Sequence, residues 1–116
     1  MRNEVKMAAK VQHKQMMKMQ SAEEEAILQH NSGKKSKVCY IASELYTKGE
    51  LFYFLADKGG LPVNVCRYYG RQLVEALRFM HNNGVAHRDL KCENILLNEN
   101  YDLKISDFGF ACPVSG

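Results

Sequence analysis

The chain has 116 residues, 46% of them hydrophobic and 25% charged, enough for one small core and the balance of an ordinary soluble globular chain. Its formal net charge of +3 comes from scattered basic residues, which argues against nucleic-acid and membrane-surface partners. No apolar run approaches the ~18 residues of a membrane span, and the Met- and Lys-rich start lacks the apolar block of a signal peptide.

In chain order, Val5, Ala8 and Val11 recur at helical spacing within Met1–Val11, with Glu4 beside them, and predict a first helix. Met16-Met17-Lys18-Met19 reads as the next strand, its methionines filling core. Gln20 to Lys37 is polar, with Glu23-Glu24-Glu25 early and Lys34, Lys35 and Lys37 around Asn31-Ser32-Gly33. It reads as a long solvated loop or a flared hairpin between two strands. Val38–Ala42 is a short apolar strand that leads into Ser43-Glu44-Leu45-Tyr46. Leu61-Pro62 then opens a long helix, proline being tolerated in the first turn. Its apolar stripe is Cys66, Tyr69, Leu73, Leu77 and Met80, and Asn82-Asn83-Gly84 is its stop.

The most informative stretch runs from Val85 to Ala111. Ile95–Leu97 and Leu103–Ile105 flank the polar Asn98–Asp102 and predict a hairpin with a polar turn. Closing that hairpin draws its two ends together, so Asp89, Asn94 and Asp107 converge on one spot. Three oxygen-bearing side chains held there suit a hard divalent cation and a hydroxyl nucleophile. The four cysteines, Cys39, Cys66, Cys92 and Cys112, show no CxxC and no regular spacing, so reduced thiols in a cytoplasmic protein are expected.

His87-Arg88-Asp89-Leu90, Asn94 five residues after Asp89, and Asp107-Phe108-Gly109 thirteen residues later resemble the eukaryotic protein kinases. The run HRDLKCENILLNEN is most similar to the calmodulin-dependent and AMP-activated-kinase-like group of serine/threonine kinases. The resemblance implies an α+β, partial protein-kinase-like fold. Residues 1–43 would be a remnant of the small lobe, 44–50 the hinge, and 51–116 the start of the large lobe with catalytic loop and metal motif. It implies ATP and Mg²⁺ as cofactors and a protein substrate. Asp89 takes the role of base for the substrate hydroxyl, and Lys91 steadies the transferred phosphoryl group. Asn94 and Asp107 become the Mg²⁺ ligands.

On the same resemblance, the Glu44 carbonyl and the Tyr46 N–H hydrogen-bond adenine. Ser43 controls access behind that pocket, and Glu50 lies near the ribose and the incoming peptide. The resemblance also implies that a short helix starts at Lys48-Gly49-Glu50-Leu51-Phe52, where the Glu50 carboxylate would also suit the macrodipole, and Asp57–Gly60 ends it. Leu96 forms the adenine floor, although a plain core leucine would look the same. Glu4, nine residues before His13, is either the partner of an ATP-binding lysine or an ordinary exposed glutamate. His87 is expected to pack against Phe108, and Arg88 to pair with a phosphorylated activation loop. Glu50 and Glu93 would favour basic residues near the target Ser/Thr.

Three positions depart from the family pattern: Lys14-Gln15 after His13 instead of Pro-Asn, Ala8 where a larger apolar residue is usual, and Cys92 in place of a proline. No GxGxxG run occurs in these residues, and glycines appear only from Gly33 onward. The sequence is therefore expected to be an incomplete serine/threonine kinase domain, inactive alone. A non-catalytic kinase-like interaction module and a truncated relic are the alternatives.

Overall fold

The computed structural model describes residues 2–114. Met1, Ser115 and Gly116 lie outside them, and with them the two ends of the stretches expected as the first helix and the opening of the activation segment. Helix α1 (Arg2–Lys10) leads into an antiparallel hairpin of β1 (Met19–Gln29) and β2 (Lys35–Ser43). Strand β3 (Gly49–Glu50) runs directly into α2 (Leu51–Lys58), and the long α3 (Val63–Asn82) follows. Then come β4 (Val85–Ala86), a 3₁₀ turn at Cys92–Asn94, β5 (Ile95–Leu97), β6 (Leu103–Ile105) and β7 (Cys112–Pro113). β3, β5 and β6 form one sheet in that order, and β4 pairs with β7. The architecture is the expected mixture of helices and strands.

Where the expected elements differ, tertiary contacts supply the reason. The strand expected at Met16–Met19 begins only at Met19. Ile105 N–H donates to the Gln15 carbonyl and Met17 N–H to the Ile105 carbonyl, so Met16 lies beside β6 in a single parallel bridge. Of the two readings of Gln20–Lys37, the flared hairpin is correct: both flanks are strands, and the chain reverses between His30 and Lys34. Cross-strand pairs such as Glu23 with Tyr40 and Ile27 with Lys37 define its register, with irregularities between Met19 and Ser21 and between Glu23 and Ala26. The expected α3 stripe is present except at its first position. Tyr69, Ala76 and Met80 are buried, Leu73 and Leu77 are half-buried, and Cys66 is exposed. Cys66 lies in the first turn, where its thiol reaches the Leu61 carbonyl rather than the core. Pro62 stands just outside the helix and presents its carbonyl to the Val65 and Cys66 N–H groups. In α1 the buried side chains are Met7 and Ala8, followed by Val11, while Val5 is half-buried.

Gly84 ends α3 with φ of 69°, and a Cβ there would meet the Val114 carbonyl at 3.2 Å. Only glycine turns the chain so tightly without strain. The core gathers Met7, Val11, Met16, Met80, Val85, Leu97, Leu103, Ile105 and Phe108 between α1, α3 and the β5–β6 hairpin. The β1–β2 hairpin carries little of it. The radius of gyration is 16.1 Å, above the about 13 Å usual for this length.

The division between core and projecting hairpin is measurable. Leu97→Ala, at a fully buried site, should cost about 2–5 kcal/mol of unfolding free energy. Ile27→Ala, at a site 70% exposed, should stay within about 0.5 kcal/mol. Urea unfolding midpoints compare the two. Equal losses would place the core elsewhere.

Candidate active site

The site is assembled by the β5–β6 hairpin. Its register, Ile95 with Ile105, Leu96 with Lys104 and Leu97 with Leu103, sends alternate side chains to opposite faces. Ile95, Leu97, Leu103 and Ile105 go into the core, and Leu96 and Lys104 to the other face. The turn is secured at its tip. Asn98 Oδ1 accepts the Asn100 and Asp102 N–H groups at 2.9 Å each, and Gln72 Oε1 accepts Leu103 N–H at 2.8 Å. The Tyr68 hydroxyl and the Gln72 amide both donate to the Asp102 carboxylate. The Tyr68 hydrogen bond is the chief reason the Asp102 carboxyl sits below its ordinary range, burial acting against it.

At the open end, Ser106 donates twice to the Asn94 carbonyl, from its N–H at 2.9 Å and its hydroxyl at 3.0 Å. Asn94, only 8% exposed, donates Nδ2–H to the Asp89 carbonyl at 2.8 Å and to Asp89 Oδ2 at 3.1 Å. Lys91 Nζ stands 3.7 Å from Asp89 Oδ1. Asp89, Lys91 and Asn94 thus form one connected group, and Asp107 follows Ser106 directly with its side chain exposed. With Nδ2 committed, Asn94 Oδ1 is the oxygen left for a cation, and the Asp107 carboxylate is the second. Among the described residues no group of three or more His, Cys, Asp and Glu gathers for a metal. Two hard oxygen ligands suit Mg²⁺, which keeps waters and takes phosphate oxygens rather than an all-protein cage.

Two site residues have left-handed backbones, Arg88 at φ 68° and Asp107 at φ 60°. Such conformations cost on the order of 1–3 kcal/mol and persist only where neighbours hold them. His87 is one such neighbour. It accepts the Asp89 N–H at Nδ1, 3.2 Å away, and donates from Nε2 to the Ser106 carbonyl at 2.8 Å. Its ring meets Phe108 edge-on at 5.2 Å, so it packs as expected and also bridges the two strained residues. The Arg88 guanidinium donates to the Phe110 carbonyl at 2.7 Å.

The backbone around Glu44 and Tyr46 is held from behind. Glu44 N–H donates to the Lys18 carbonyl at 3.1 Å, and Lys18 N–H donates to the Tyr46 hydroxyl at 2.7 Å. Tyr46 is buried, and burial pushes its phenol above the ordinary range. Its backbone N–H has no hydrogen-bond partner among the described residues, while the Glu44 carbonyl accepts the Ser43 hydroxyl at 3.3 Å. A cleft of about 400 Å³ runs along Ser43, Glu44, Tyr46 and Asn98.

Leu96 lies outside that cleft, paired with Glu50 on one side and Lys104 on the other. Glu50 ends β3 and is the N-cap residue of α2; its side chain makes no capping hydrogen bond, but its carboxylate stands at the helix N-terminus, where the macrodipole favours it. Glu4 is half-buried and has no ion-pair partner among the described residues. Its neighbour Asn3 donates to the Ala111 carbonyl at 2.9 Å and fastens α1 to the segment after Phe108. Neither Asn3 nor Ser106 stands out in the sequence. The one available signal for Ser106 is a hydroxyl residue placed where a strand meets the acidic ligand.

Comparison with known proteins agrees with this geometry. The family described as "Protein kinase domain" matches residues 1–116. The chain is 45% identical over 82 residues to the liver/testis phosphorylase b kinase gamma catalytic chain of Bos taurus, covering 71% of this chain and 20% of that protein. It is 51% identical over 77 residues to CBL-interacting serine/threonine-protein kinase 7 of Arabidopsis thaliana, covering 66% of this chain and 18% of that one. With serine/threonine-protein kinase chk1 of Schizosaccharomyces pombe it shares 41% over 97 residues, 84% of this chain and 20% of the relative. The matched stretch spans about a fifth of these relatives' own lengths.

The double bond from Ser106 to Asn94 gives a direct test. Ser106→Ala keeps the backbone bond and loses the hydroxyl bond, worth about 1 kcal/mol. In the full-length protein it should raise the Mg²⁺ concentration for half-maximal nucleotide binding about fivefold, with the circular dichroism spectrum unchanged. An unchanged Mg²⁺ titration would show that the hydroxyl does not hold the metal ligands.

Proposed function

The chain belongs to the protein kinase family, and from that premise we propose that it carries the catalytic centre of a serine/threonine kinase. The observation that bears most weight is the hydrogen-bonded series Asp89–Asn94–Ser106, which joins a base to the two cation ligands. ATP with Mg²⁺ supplies the phosphoryl group and neutralises its charge when bound; Asn94 and Asp107 would hold the cation. Transfer of this kind rests on positioning and electrostatics.

Asp89 orients the substrate hydroxyl and takes its proton. One of its oxygens is fixed by Asn94 and the other faces Lys91, so the carboxylate is aimed before substrate arrives. Lys91, half-exposed, places its ammonium beside the same spot and stabilises charge developing there. The unbonded Tyr46 N–H and the Glu44 carbonyl serve adenine, with Ser43 at the mouth of their cleft. Leu96, which lies beyond that cleft, is read as the floor under adenine, and Glu50, opposite it in the sheet, as reaching the ribose and peptide side. Glu4 awaits a lysine. The division into 1–43, 44–50 and 51–116 as small-lobe remnant, hinge and large lobe belongs to this same reading. So does a cytoplasmic site of action, which the four free cysteines support. Among the described residues no helix is long and apolar enough to cross a membrane.

Among the described residues no lysine pairs with Glu4, and residues 1–116 hold no GxGxxG run, so we propose that this stretch alone transfers no phosphate. The intact group of Asp89, Lys91 and Asn94 favours catalysis in the full-length protein over a purely non-catalytic module.

In the full-length protein, Asp107→Asn should lower phosphate transfer about a hundredfold or more while leaving the unfolding midpoint nearly unchanged. The isolated 116 residues, assayed beside it, should show no transfer. Retained activity in Asp107→Asn would sink the assignment, and turnover by the isolated stretch would overturn its proposed inactivity.

Substrate preference follows from Glu50 and from Glu93, which is exposed beside the catalytic loop. Carboxylates so placed select arginine or lysine near the target hydroxyl. A peptide library phosphorylated by the full-length protein should therefore be enriched in basic residues before Ser or Thr. Equal use of acidic peptides would rule this out.

A further inference from the structure

Away from the catalytic group, a cleft of about 530 Å³ lies between α3 and the turn that follows α1. Its charged walls are Lys14, Arg67, Arg71 and Glu75, with Tyr68 and Gln72 along the base. All four charged side chains are exposed, and among the described residues none of them joins an ion pair. The cleft is held open by its own framework. His13, next to Lys14, stacks on Phe79 of α3 at 4.5 Å, and the Lys104 ammonium donates to the Lys14 carbonyl. Tyr68 and Gln72 are committed to Asp102, which fixes the base of the cleft. The local field is registered at His13, whose imidazole lies below its ordinary range through burial first and then the charge of Lys14. Glu75 acts in the opposite sense, and Lys104 adds to Lys14.

We propose that this cleft docks an extended acidic peptide segment of a partner protein, with the pattern acid-x-acid-x-basic. The spacing comes from the helix. Arg67, Arg71 and Glu75 are four residues apart, and four residues of α-helix rise about 6 Å. Alternate residues of an extended chain lie about 6.6 Å apart on one side. Two acidic side chains two positions apart therefore meet Arg67 and Arg71, and a basic one two positions further meets Glu75. Lys14 stands on the opposite wall and adds to the cleft's positive charge. A nucleic-acid backbone presents only negative charge and would be repelled at Glu75, which is why the peptide is favoured.

The test uses the full-length protein and fluorescence anisotropy with three probes: a labelled Gly/Ser-flanked Glu-Ser-Glu-Ser-Lys peptide, the rearranged Glu-Ser-Lys-Ser-Glu peptide, and a labelled single-stranded oligonucleotide. The first peptide should bind about fivefold or more tightly than the rearranged one, and added salt should weaken it. The double variant Arg67→Gln/Arg71→Gln should lose about tenfold in affinity with kinase activity and helical signal unchanged. Glu75→Lys should shift preference toward a Glu-Ser-Glu-Ser-Glu peptide. Equal binding of the two arrangements, tighter binding of the oligonucleotide, or a double variant that binds as well as the parent would each overturn the proposal. Phosphate transfer plays no part in these readouts, so they stand or fall apart from the kinase assignment.

Discussion

Two hydrogen bonds from Ser106 to one carbonyl, that of Asn94, close the open end of the β5–β6 hairpin, and the candidate site depends on that closure. The hairpin has only three residue pairs, too few to be stable by itself. It survives because four of its side chains sink into the core and its far turn is fastened to α3 by Gln72 and Tyr68. With both ends fixed, the separation between Asn94 and Asp107 is set by covalent geometry and a short ladder. A cation site with two protein oxygens has no surplus ligands to absorb error, so such rigidity is a requirement of the chemistry.

Strain is concentrated at the same place. The left-handed backbones of Arg88 and Asp107 flank the group from both sides, and His87 is bonded to the residue next to each. A buried ring with one nitrogen accepting and the other donating is a spacer of fixed length. Phe108, wholly buried against it, prevents either strained residue from relaxing outward. The contacts of the neighbouring core therefore offset the strain that keeps Asp89 and Asp107 pointed as they are.

Much of this was legible in the sequence, for identifiable reasons. The Val85–Ala111 stretch announces itself because short apolar runs bracket a polar turn, and the chemically distinctive residues sit at its ends. Helix α3 was legible from its periodicity and its glycine stop. What was not legible depends on partners distant in sequence. Met16 has strand-like neighbours, yet its backbone is claimed by Ile105, 89 residues on, which no local pattern reveals. The β1–β2 hairpin is exposed on both faces, so burial imposes no alternation on Gln20–Lys37. Cys66 belongs to the right helix and the wrong face, because stripe positions within the first turn are the least determined by period. Asn3 and Ser106 act through backbone carbonyls, an interaction that leaves no signature in composition.

Two of the three departures from the family pattern, Ala8 and Cys92, find their explanation in packing. Ala8 is smaller than the residue usual at its place, yet it is almost wholly buried, with Met7 and Met16 in the same core. Unbranched methionine side chains fill irregular space, so volume missing at one position is recovered from its neighbours. Cys92, in place of a proline, is half-buried against the core and starts the 3₁₀ turn that ends at Asn94. The Asn94 N–H bonds the Lys91 carbonyl across that turn at 2.9 Å, so the turn that delivers Asn94 to the candidate site is closed by the backbone. What the proline would have contributed as stiffness, this hydrogen bond and the side-chain bond from Asn94 to the Asp89 carbonyl contribute as geometry. The site tolerates the change because its precision is held by the groups that need it, and not by the residue between them.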